Sequence, residues 1–345
     1  MGEARPWDPA LLTPVLITYN RADDLAATLE QWAGSAAAQA NLLILDNASS
    51  DRTPEVVAAF RARLPNLGYV RNPCNVGGPA NILRAAEQGD SEYLWIIGDD
   101  DRWFLEDLTE LAQVLLNREA DVIRLGWLVT EGRGQLRPAM DLAEREPLFF
   151  PSLSMISATI FRRRLLVDTL PFAYQAVADA YPQLVPFLKA FQAGTLTVHT
   201  LERDLMLHTP STRPGYYLGD LEWFSHWFRT SRFLASPRWR RVFCGSILHY
   251  VTRRDPSWLA QRLVLPMNAL RYRDRGVPQG AYLASLLGYG CGWRCNILAA
   301  AAGYFLVPGF LGRWLDDRYR AWAGVRPPAG AGALARRQAE RDARL

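Results

Sequence analysis

The 345-residue chain lacks the marks of several common classes of protein. Its four cysteines include no CxxC pair, and their spread argues against a disulfide framework or a zinc site and favours a reducing cytoplasm. Lysine is almost missing, since Lys189 stands alone among 39 basic residues, and the net charge of +4 is too small to argue for nucleic acid. The first residues lack the basic start and apolar core of a signal peptide. We therefore expect a cytoplasmic globular protein that does not bind nucleic acid.

Long uninterrupted apolar runs are missing from the second half as well. The stretch 296–311 is apolar, but it is too short, and too interrupted by Gly303, Pro308 and Gly309, to span a membrane, which needs about 20 residues. We favour a buried pair of helices for this stretch. The alternative is an element that rests on a membrane surface, which the flanking arginine and tryptophan residues would suit. From about Trp223 onward, arginine and aromatic residues interleave.

The first part of the chain alternates strand-like and helix-like segments. Strands are predicted at 15–19, 42–45, 67–70, 93–97 and 122–129, with helices at 22–32, from Thr53 and Pro54, at 79–88 and at 105–117. Residues 131–145 suggest a hairpin or mobile loop, and a further helix begins after Tyr181 and stops at Gly194. This order predicts an α/β fold with a mostly parallel sheet flanked by helices, in which ligands lie beyond the carboxyl ends of the strands.

The most informative feature is the end of the fourth predicted strand. The apolar run 93–97 leads through Gly98 into three consecutive carboxylates, Asp99, Asp100 and Asp101. Carboxylates in a buried place repel one another and are costly to desolvate, so the strand end needs a cation. Hard oxygen ligands suit Mg²⁺ or Mn²⁺, which usually also hold substrate phosphates. The strand end therefore predicts a metal and phosphate site.

Other connections in the same series carry related chemistry. The loop 75–81 holds Gly77 and Gly78, which let backbone amides approach a ligand just before a helix start that favours anions. Asp46 follows the second strand, where it either hydrogen-bonds a base or ribose or simply belongs to an Asx-rich loop that caps the next helix. The residues alone leave both alternatives open.

Taken together, the segments 16–21, 45–51, 75–78 and 98–101 resemble, in order and spacing, the family 2 glycosyltransferases of the GT-A fold. The resemblance implies a nucleotide-sugar donor across the first strand ends, with Mn²⁺ or Mg²⁺ on its diphosphate. It implies these donor-binding residues: Thr18, Tyr19, Asn20, Arg21, Asp46, Asn75, Gly77, Gly78, Asp99 and Asp100. It implies these metal ligands: Asp99, Asp101 and His208.

The resemblance does not carry the catalytic base over to this chain. The acceptor helix of the family normally opens with a Glu-Asp pair whose Asp is the base, but Pro182 and Gln183 stand in that place here. We rank Asp179 first and Asp220 second as substitutes, with Glu222 behind them, although a capping or surface role suits each equally well. Gln183 is then expected to hydrogen-bond the acceptor.

The resemblance also implies a domain organisation. We predict a GT-A glycosyltransferase domain at 1–220, with a nucleotide-sugar half at about 12–130 and an acceptor half at about 131–220. A helical region rich in aromatic residues and arginine follows at 221–325, and a flexible tail at 326–345.

The implied reaction is inverting transfer of a hexosyl or deoxyhexosyl group to a glycan or a polyprenyl-diphosphate-linked acceptor, with possible peripheral contact at the inner face of the plasma membrane. The helix start at 181–184 resembles abequosyltransferase-like enzymes of O-antigen synthesis. The alternatives are a relative that binds nucleotide-sugar or glycan without turnover, and a nucleotidyltransferase, whose Gly-rich loop is missing after the first strand. An NAD-dependent enzyme is set aside because no GxGxxG follows that strand. The oligomeric state is left open.

Overall fold

The structure is a computed structural model that describes residues 5–88, 90–208 and 226–251, with a few separate positions between 306 and 318. The chain divides into two compact units. One comprises 1–210 with 230–246, and the other comprises 211–229 with 247–345. The predicted boundaries at 220 and 325 stay predictions, although 230–246 belongs with the first unit.

Ten strands form in the described residues, in two sheets. Their bounds are β1 Leu12–Thr18, β2 Leu42–Asp46, β3 Leu67–Arg71, β4 Tyr93–Ile97, β5 Arg102–Trp103, β6 Val122–Arg124, β7 Gln135–Pro138, β8 Thr159–Arg162, β9 Thr197–Thr200 and β10 Met206–Leu207. The larger sheet has the order β3-β2-β1-β4-β8-β6-β9-β7, and β5 pairs with β10. Strands β1 to β4 are mutually parallel, whereas β8 runs antiparallel to β4 and β6, and β7 antiparallel to β9. The predicted mostly parallel sheet is confirmed.

Helices lie between these strands, as the alternating pattern predicts. Their bounds are α1 Ala22–Ala33, α2 Thr53–Phe60, α3 Gly78–Glu87, α4 Thr109–Asn117, α5 Ala139–Arg145, α6 Phe149–Ser154, α7 Arg163–Val167, α8 Leu170–Tyr174, α9 Leu184–Phe191 and α10 Pro237–Val251. Short 3₁₀ turns lie at Ile156–Ala158 and Ser231–Phe233. Within the described residues, no helix combines the length and the apolar character that a membrane crossing requires.

The core under the acidic turn is aromatic. Every residue of β4 is buried, as expected for a central strand covered on both faces. The rings of Trp32 on α1, Trp95 on β4 and Trp103 on β5 pack together with centroids 5.4 to 6.2 Å apart. Such tilted and edge-on contacts add to the free energy of burial. The strand end that carries the three carboxylates is therefore fixed on a rigid base.

Several predicted boundaries differ from the structure for local reasons. The strand predicted to reach 129 ends at Arg124, because Gly126 has a φ of 115° and a Cβ there would lie 2.0 Å from Asp204 Oδ1. The segment 131–145 forms β7 and α5 rather than a free hairpin. Helix α2 begins at Thr53, whose amide and hydroxyl both donate to Oδ1 of Asp51, at 3.1 and 2.6 Å.

A segment beyond residue 220 completes the first unit. Trp239 packs edge-on against Phe191 at 5.0 Å, and Phe243 against Phe150 at 5.1 Å. The side chain of Gln192 donates a hydrogen bond to the carbonyl oxygen of Phe233 at 2.9 Å. Residues 230–246 thus belong to the core of the first unit.

Candidate functional site

Sheet topology brings the predicted motifs to one edge. Strand β1 lies between β2 and β4, so the chain leaves β1 toward one side and later returns to the other. In register, Thr18 lies opposite Asp46, and Leu16 lies opposite Ile97. The carboxyl ends of three strands therefore meet at the point where the strand order reverses, which is where open α/β sheets bind ligands.

Asp99 is buried in this edge, with 3% of its surface exposed. Thr18 Oγ1 donates a hydrogen bond to Asp99 Oδ2 at 2.6 Å, and Thr28 Oγ1 donates one to the Asp99 carbonyl oxygen at 2.9 Å. Burial raises the pKa of Asp99 to about 7, although Arg21 and the Thr18 hydroxyl oppose that shift. Two predicted donor-site residues, Thr18 and Asp99, are thus in direct contact.

Arg21 lies among carboxylates and is itself buried, with 5% exposed. Its Nη2 lies 2.9 Å from Asp100 Oδ2, and its Nε lies 3.3 Å from Asp99 Oδ1 and 3.0 Å from Asp24 Oδ2. Burial alone would lower the pKa of Arg21, but Asp99, Asp100 and Asp24 together raise it above its ordinary value. Burial also raises the pKa of Asp100, against the effect of Arg21. The guanidinium is therefore a permanent positive charge inside the site.

Asp101 turns to a different partner. Its Oδ1 lies 3.0 Å from Nδ1 of His208, whose ring is edge-on to Trp127 at 6.1 Å. The pairing has a structural cause, because β5 and β10 match Trp103 with Met206 and Arg102 with Leu207. Continuing that antiparallel register by one residue places Asp101 opposite His208.

A carboxylate and an imidazole held together in this way suit a divalent cation. Among the residues that the structure describes, no three acid, histidine or cysteine side chains lie together as a complete metal site. Mg²⁺ and similar ions often take only one or two protein ligands and complete their shell with substrate phosphates and water. The pair of Asp101 and His208 fits that mode.

Asp46 is fully buried and already engaged by protein groups. Its Oδ1 accepts a hydrogen bond from the Ser49 amide at 2.8 Å, and its Oδ2 accepts one from the Tyr69 hydroxyl at 2.7 Å and lies 3.4 Å from Arg71 Nε. Burial and this contact raise the pKa of Tyr69 above its ordinary value. Tyr69 and Arg71 are thus the more accessible groups here. The sequence reasoning missed both, since they stand in a strand with no motif of its own.

An asparagine network holds the glycine-containing loop against β2. The Asn72 side chain donates to Oδ1 of Asn47 at 3.0 Å and to Oδ1 of Asn81 at 2.8 Å. Asn47 in turn donates to Asn75 Oδ1 at 2.8 Å, and the same oxygen accepts the Gly77 amide at 2.8 Å. Asn75 therefore shapes the loop from within, a role that sequence reasoning did not assign to it.

The loop surface itself is open. Gly77 has a φ of 83°, and a Cβ at Gly77 or Gly78 would meet no atom of the described residues within 4 Å. Tyr19 is 39% exposed at the end of β1. Asn20, with a positive φ of 51°, instead ties two loops together, because its Oδ1 accepts the Ser50 amide at 2.7 Å.

In the segment predicted as the acceptor half, Gln183 is buried, and only one of its two side-chain polar atoms is hydrogen-bonded within the described residues. Its Nε2 donates to the Ser154 carbonyl oxygen at 2.8 Å, while its Oε1 has no hydrogen-bond partner among the described residues. The 3₁₀ turn Ile156–Ala158, which follows Ser154 in the chain, contacts the acidic motif, because Ser157 Oγ accepts a hydrogen bond from the Gly98 amide at 2.9 Å. Gln183 thus lies one short segment away from the carboxylates.

Asp179 is also buried, with 3% exposed, and pairs with an arginine from far along the chain. Its Oδ2 lies 3.0 Å from Nη1 of Arg232, which stands in the 3₁₀ turn Ser231–Phe233. No sequence signal connects these two residues. The other proposed bases, Asp220 and Glu222, lie outside the described residues.

The sheet order and its flanking helices define a class of fold, the GT-A fold, and comparisons with known proteins agree with it. Residues 14–169 match the family model described as glycosyl transferase family 2. That segment contains the donor-side motifs up to Asp101, but not Asp179, Gln183 or His208. The match covers less than half of the chain, and its family is the one that the sequence motifs resemble.

Solved structures share the fold at low sequence identity. A structure of TarS 1–349 from S. aureus has a TM-score of 0.55 at 15% identity and covers 90% of this chain and 91% of that one. The same protein in complex with UDP-GlcNAc gives a TM-score of 0.54 at 17% identity, over 90% and 92% of the two chains. The mannosyltransferase PcManGT from Pyrobaculum calidifontis, solved with GDP-Man and Mn²⁺, gives 0.51 at 17% identity, over 88% and 89%. The GT-A fold prediction is confirmed.

Curated relatives add little about function. Uncharacterized proteins of Mycobacterium bovis and Mycobacterium tuberculosis are 30% identical over 91 residues, which is 26% of this chain and 26% of each relative. The chain therefore matches only about a quarter of their length. The abequosyltransferase-like branch stays a prediction.

Proposed function

We propose that this chain is an inverting glycosyltransferase that moves a sugar from a nucleotide-sugar donor to a hydroxyl group of a glycan or lipid-linked glycan. The observation that carries the proposal is the edge where β1 and β4 end. There Thr18 holds Asp99 at 2.6 Å, while Asp101 lies 3.0 Å from His208. A family 2 match over this segment supports the same reaction class.

The donor would lie across the ends of β1, β2 and β4. Its nucleoside would contact the exposed Tyr19 and the accessible Tyr69 and Arg71 of β3, beside the end of β2. Its diphosphate would face the open loop at Gly77 and Gly78, where amides approach at the start of α3. This arrangement assigns Asp46 and Asn75 to shaping the pocket rather than to contact with the donor.

Asp101 and His208 would hold Mn²⁺ or Mg²⁺ together with the donor diphosphate. Such an ion supplies charge neutralisation for the diphosphate leaving group. The chain positions these two ligands through the register of β5 and β10, so their geometry is set by backbone pairing. Fixed ligands of this kind need no reorganisation during the reaction.

For the acceptor, we propose Asp179 as general base and Gln183 as a hydrogen-bonding residue. A carboxylate that removes the hydroxyl proton lets the oxygen attack the anomeric carbon from the side opposite the diphosphate. One displacement of this kind inverts the configuration at that carbon. The unpartnered Oε1 of Gln183 is a buried acceptor that a sugar hydroxyl would satisfy.

We further propose that the sugar is hexosyl or deoxyhexosyl, that the pathway builds an O-antigen-type polysaccharide, and that the acceptor carries a polyprenyl diphosphate.

Peripheral contact with the inner face of the plasma membrane is supported by exposed apolar side chains of the second unit. Leu306, Phe310 and Trp314 are 78%, 72% and 52% exposed, and the Arg318 guanidinium lies 5.1 Å from the Trp314 ring. Tryptophan beside arginine is typical of membrane interfaces. In flotation with anionic liposomes, a chain that stays at the bottom contradicts this contact.

A second function is favoured by one observation. Asp179 is held by Arg232, and Pro182 and Gln183 stand where relatives have a catalytic acid pair. A chain with that arrangement could bind nucleotide-sugar or glycan without turnover. Retained donor binding with no transfer to any acceptor would favour this alternative.

The first experiment is a thermal-shift panel of UDP, dTDP, GDP and CDP, each with and without Mn²⁺. A ligand that binds only the folded state raises the melting temperature by mass action. A shift with one nucleotide that depends on Mn²⁺ supports the transferase and identifies the donor class. No shift with any nucleotide contradicts the proposed donor site.

A further inference from the structure

Arg21 occupies the place in the acidic motif where a metal ion would be expected. It lies just before α1, and its guanidinium approaches Asp24, Asp99 and Asp100 at 3.0, 3.3 and 2.9 Å. Only 5% of Arg21 is exposed, and Asp99 is 3% exposed. Carboxylates this close and this buried are stable as anions only beside a positive charge.

The contacts divide the three carboxylates into two groups. Asp99 and Asp100 face Arg21, whereas Asp101 faces His208 at 3.0 Å. A guanidinium remains charged at every accessible pH, and its planar fork serves two carboxylates at once. Arg21 therefore supplies permanently the charge that Asp99 and Asp100 require.

We infer that Arg21 is a built-in counter-cation. It keeps Asp99 and Asp100 out of metal coordination and leaves Asp101 with His208 as the protein side of a one-metal site. Without Arg21, the same turn would take up a second divalent ion. The one-metal site rests on the proposed function, but the role of Arg21 toward Asp99 and Asp100 does not.

The surroundings can admit such an ion. An open cavity of about 460 Å³ lies beside the turn, between it and α1. It is lined by Asp24, Asp99, Asp100 and Asp101, together with Gln31, whose Oε1 already accepts the Trp103 amide at 2.8 Å. A divalent ion that replaced the guanidinium would find several oxygen ligands and space for water, as Mn²⁺ and Mg²⁺ require.

The test counts bound Mn²⁺ on the full chain by equilibrium dialysis and electron paramagnetic resonance, in the presence of the nucleotide found by thermal shift or of UDP. Arg21→Gln should bind one Mn²⁺ more than the wild-type protein. Arg21→Lys keeps the charge and should match the wild-type count. Arg63→Gln, which removes an exposed pair with Glu30, is the matched control and should also leave the count unchanged.

A double variant removes one of the carboxylates that would hold the extra ion. Adding Asp100→Asn to Arg21→Gln should restore the wild-type count. Equal counts in the wild-type protein and Arg21→Gln overturn the inference. If Arg21→Gln folds only when Mn²⁺ is present, as followed by near-ultraviolet circular dichroism, the ion replaces the guanidinium and the inference is supported. A variant that stays unfolded in Mn²⁺ overturns it.

The two proposals can fail separately. The wild-type count tests the metal site of the proposed function, and zero Mn²⁺ with every nucleotide would refute that site. The difference between wild type and Arg21→Gln tests the counter-cation, and an added ion in the variant would support it even then.

Discussion

The proposed donor edge and the proposed acceptor side of this molecule are assembled in different ways. At the donor edge, the functional groups follow directly after strands, and parallel register places Thr18 beside Asp46 and the turn after Ile97. On the acceptor side, Asp179 pairs with Arg232, which stands in the stretch that the sequence assigns to a separate helical region beyond residue 220. The local sequence pattern therefore predicts a site that is built from strand ends. A site made from distant segments depends on how the whole unit packs.

The strongest way to separate the two sides is to remove the proposed base. Asp179→Asn should lower kcat by about 10²- to 10⁴-fold, which is the range for a general base, and leave nucleotide affinity unchanged. Product formation and nucleotide binding are measured on the same preparation. The exposed Asp168→Asn is the control. Full activity in Asp179→Asn would transfer the role to Asp220 or Glu222.

A substitution at the proposed metal pair should affect the donor edge alone. Asp101→Asn should abolish the Mn²⁺-dependent part of nucleotide binding and lower transfer by at least about 100-fold, since even outer-shell partners of a metal cost 10- to 100-fold. Isothermal titration with and without Mn²⁺ measures the effect. His208→Gln should show the same pattern, and unchanged Mn²⁺ dependence in both would refute the metal pair.

Arg232 tests whether the acceptor side requires its distant partner. Arg232→Gln should lower kcat about 10-fold without changing donor affinity, because Asp179 loses the guanidinium that holds it at 3.0 Å. Arg232→Lys should recover part of the activity. Equal losses in Gln and Lys variants, or a parallel loss of donor binding, would show that the contact is merely structural.

The sequence predicted the sheet, the strand ends and the triple carboxylate because each depends on local pattern. Strand β4 is an apolar run with all five residues buried, and its bounds were predicted correctly. The sequence did not predict which partner each carboxylate of the motif contacts, because neighbouring residues such as Asp100 and Asp101 turn to different partners. His208 was placed by resemblance alone, and the β5–β10 register explains it physically.

Arg232, Tyr69 and Arg71 could not be predicted for a different reason. Each owes its position to long-range packing, and none stands in a pattern that differs from an ordinary surface or strand residue. The helix start at Gln183 shows the same limit. The sequence shows that an amide side chain stands there, but only the packing against Ser154 leaves its oxygen without a partner among the described residues.

The smallest expected effect concerns the scaffold of the donor edge. Asn72→Ala removes the amide that bridges Asn47 and Asn81, so the free energy of unfolding should fall by about 1–3 kcal/mol, the cost of leaving buried polar groups unsatisfied. Urea unfolding measures this loss, and the exposed Asn117→Ala is the control. Nucleotide affinity should fall only a few-fold, because the network shapes the Gly77 loop without touching the ligand. A loss as large as that of Asp101→Asn would mean that the asparagines bind the donor directly, and the contrast between shaping residues and contact residues at this edge would not hold.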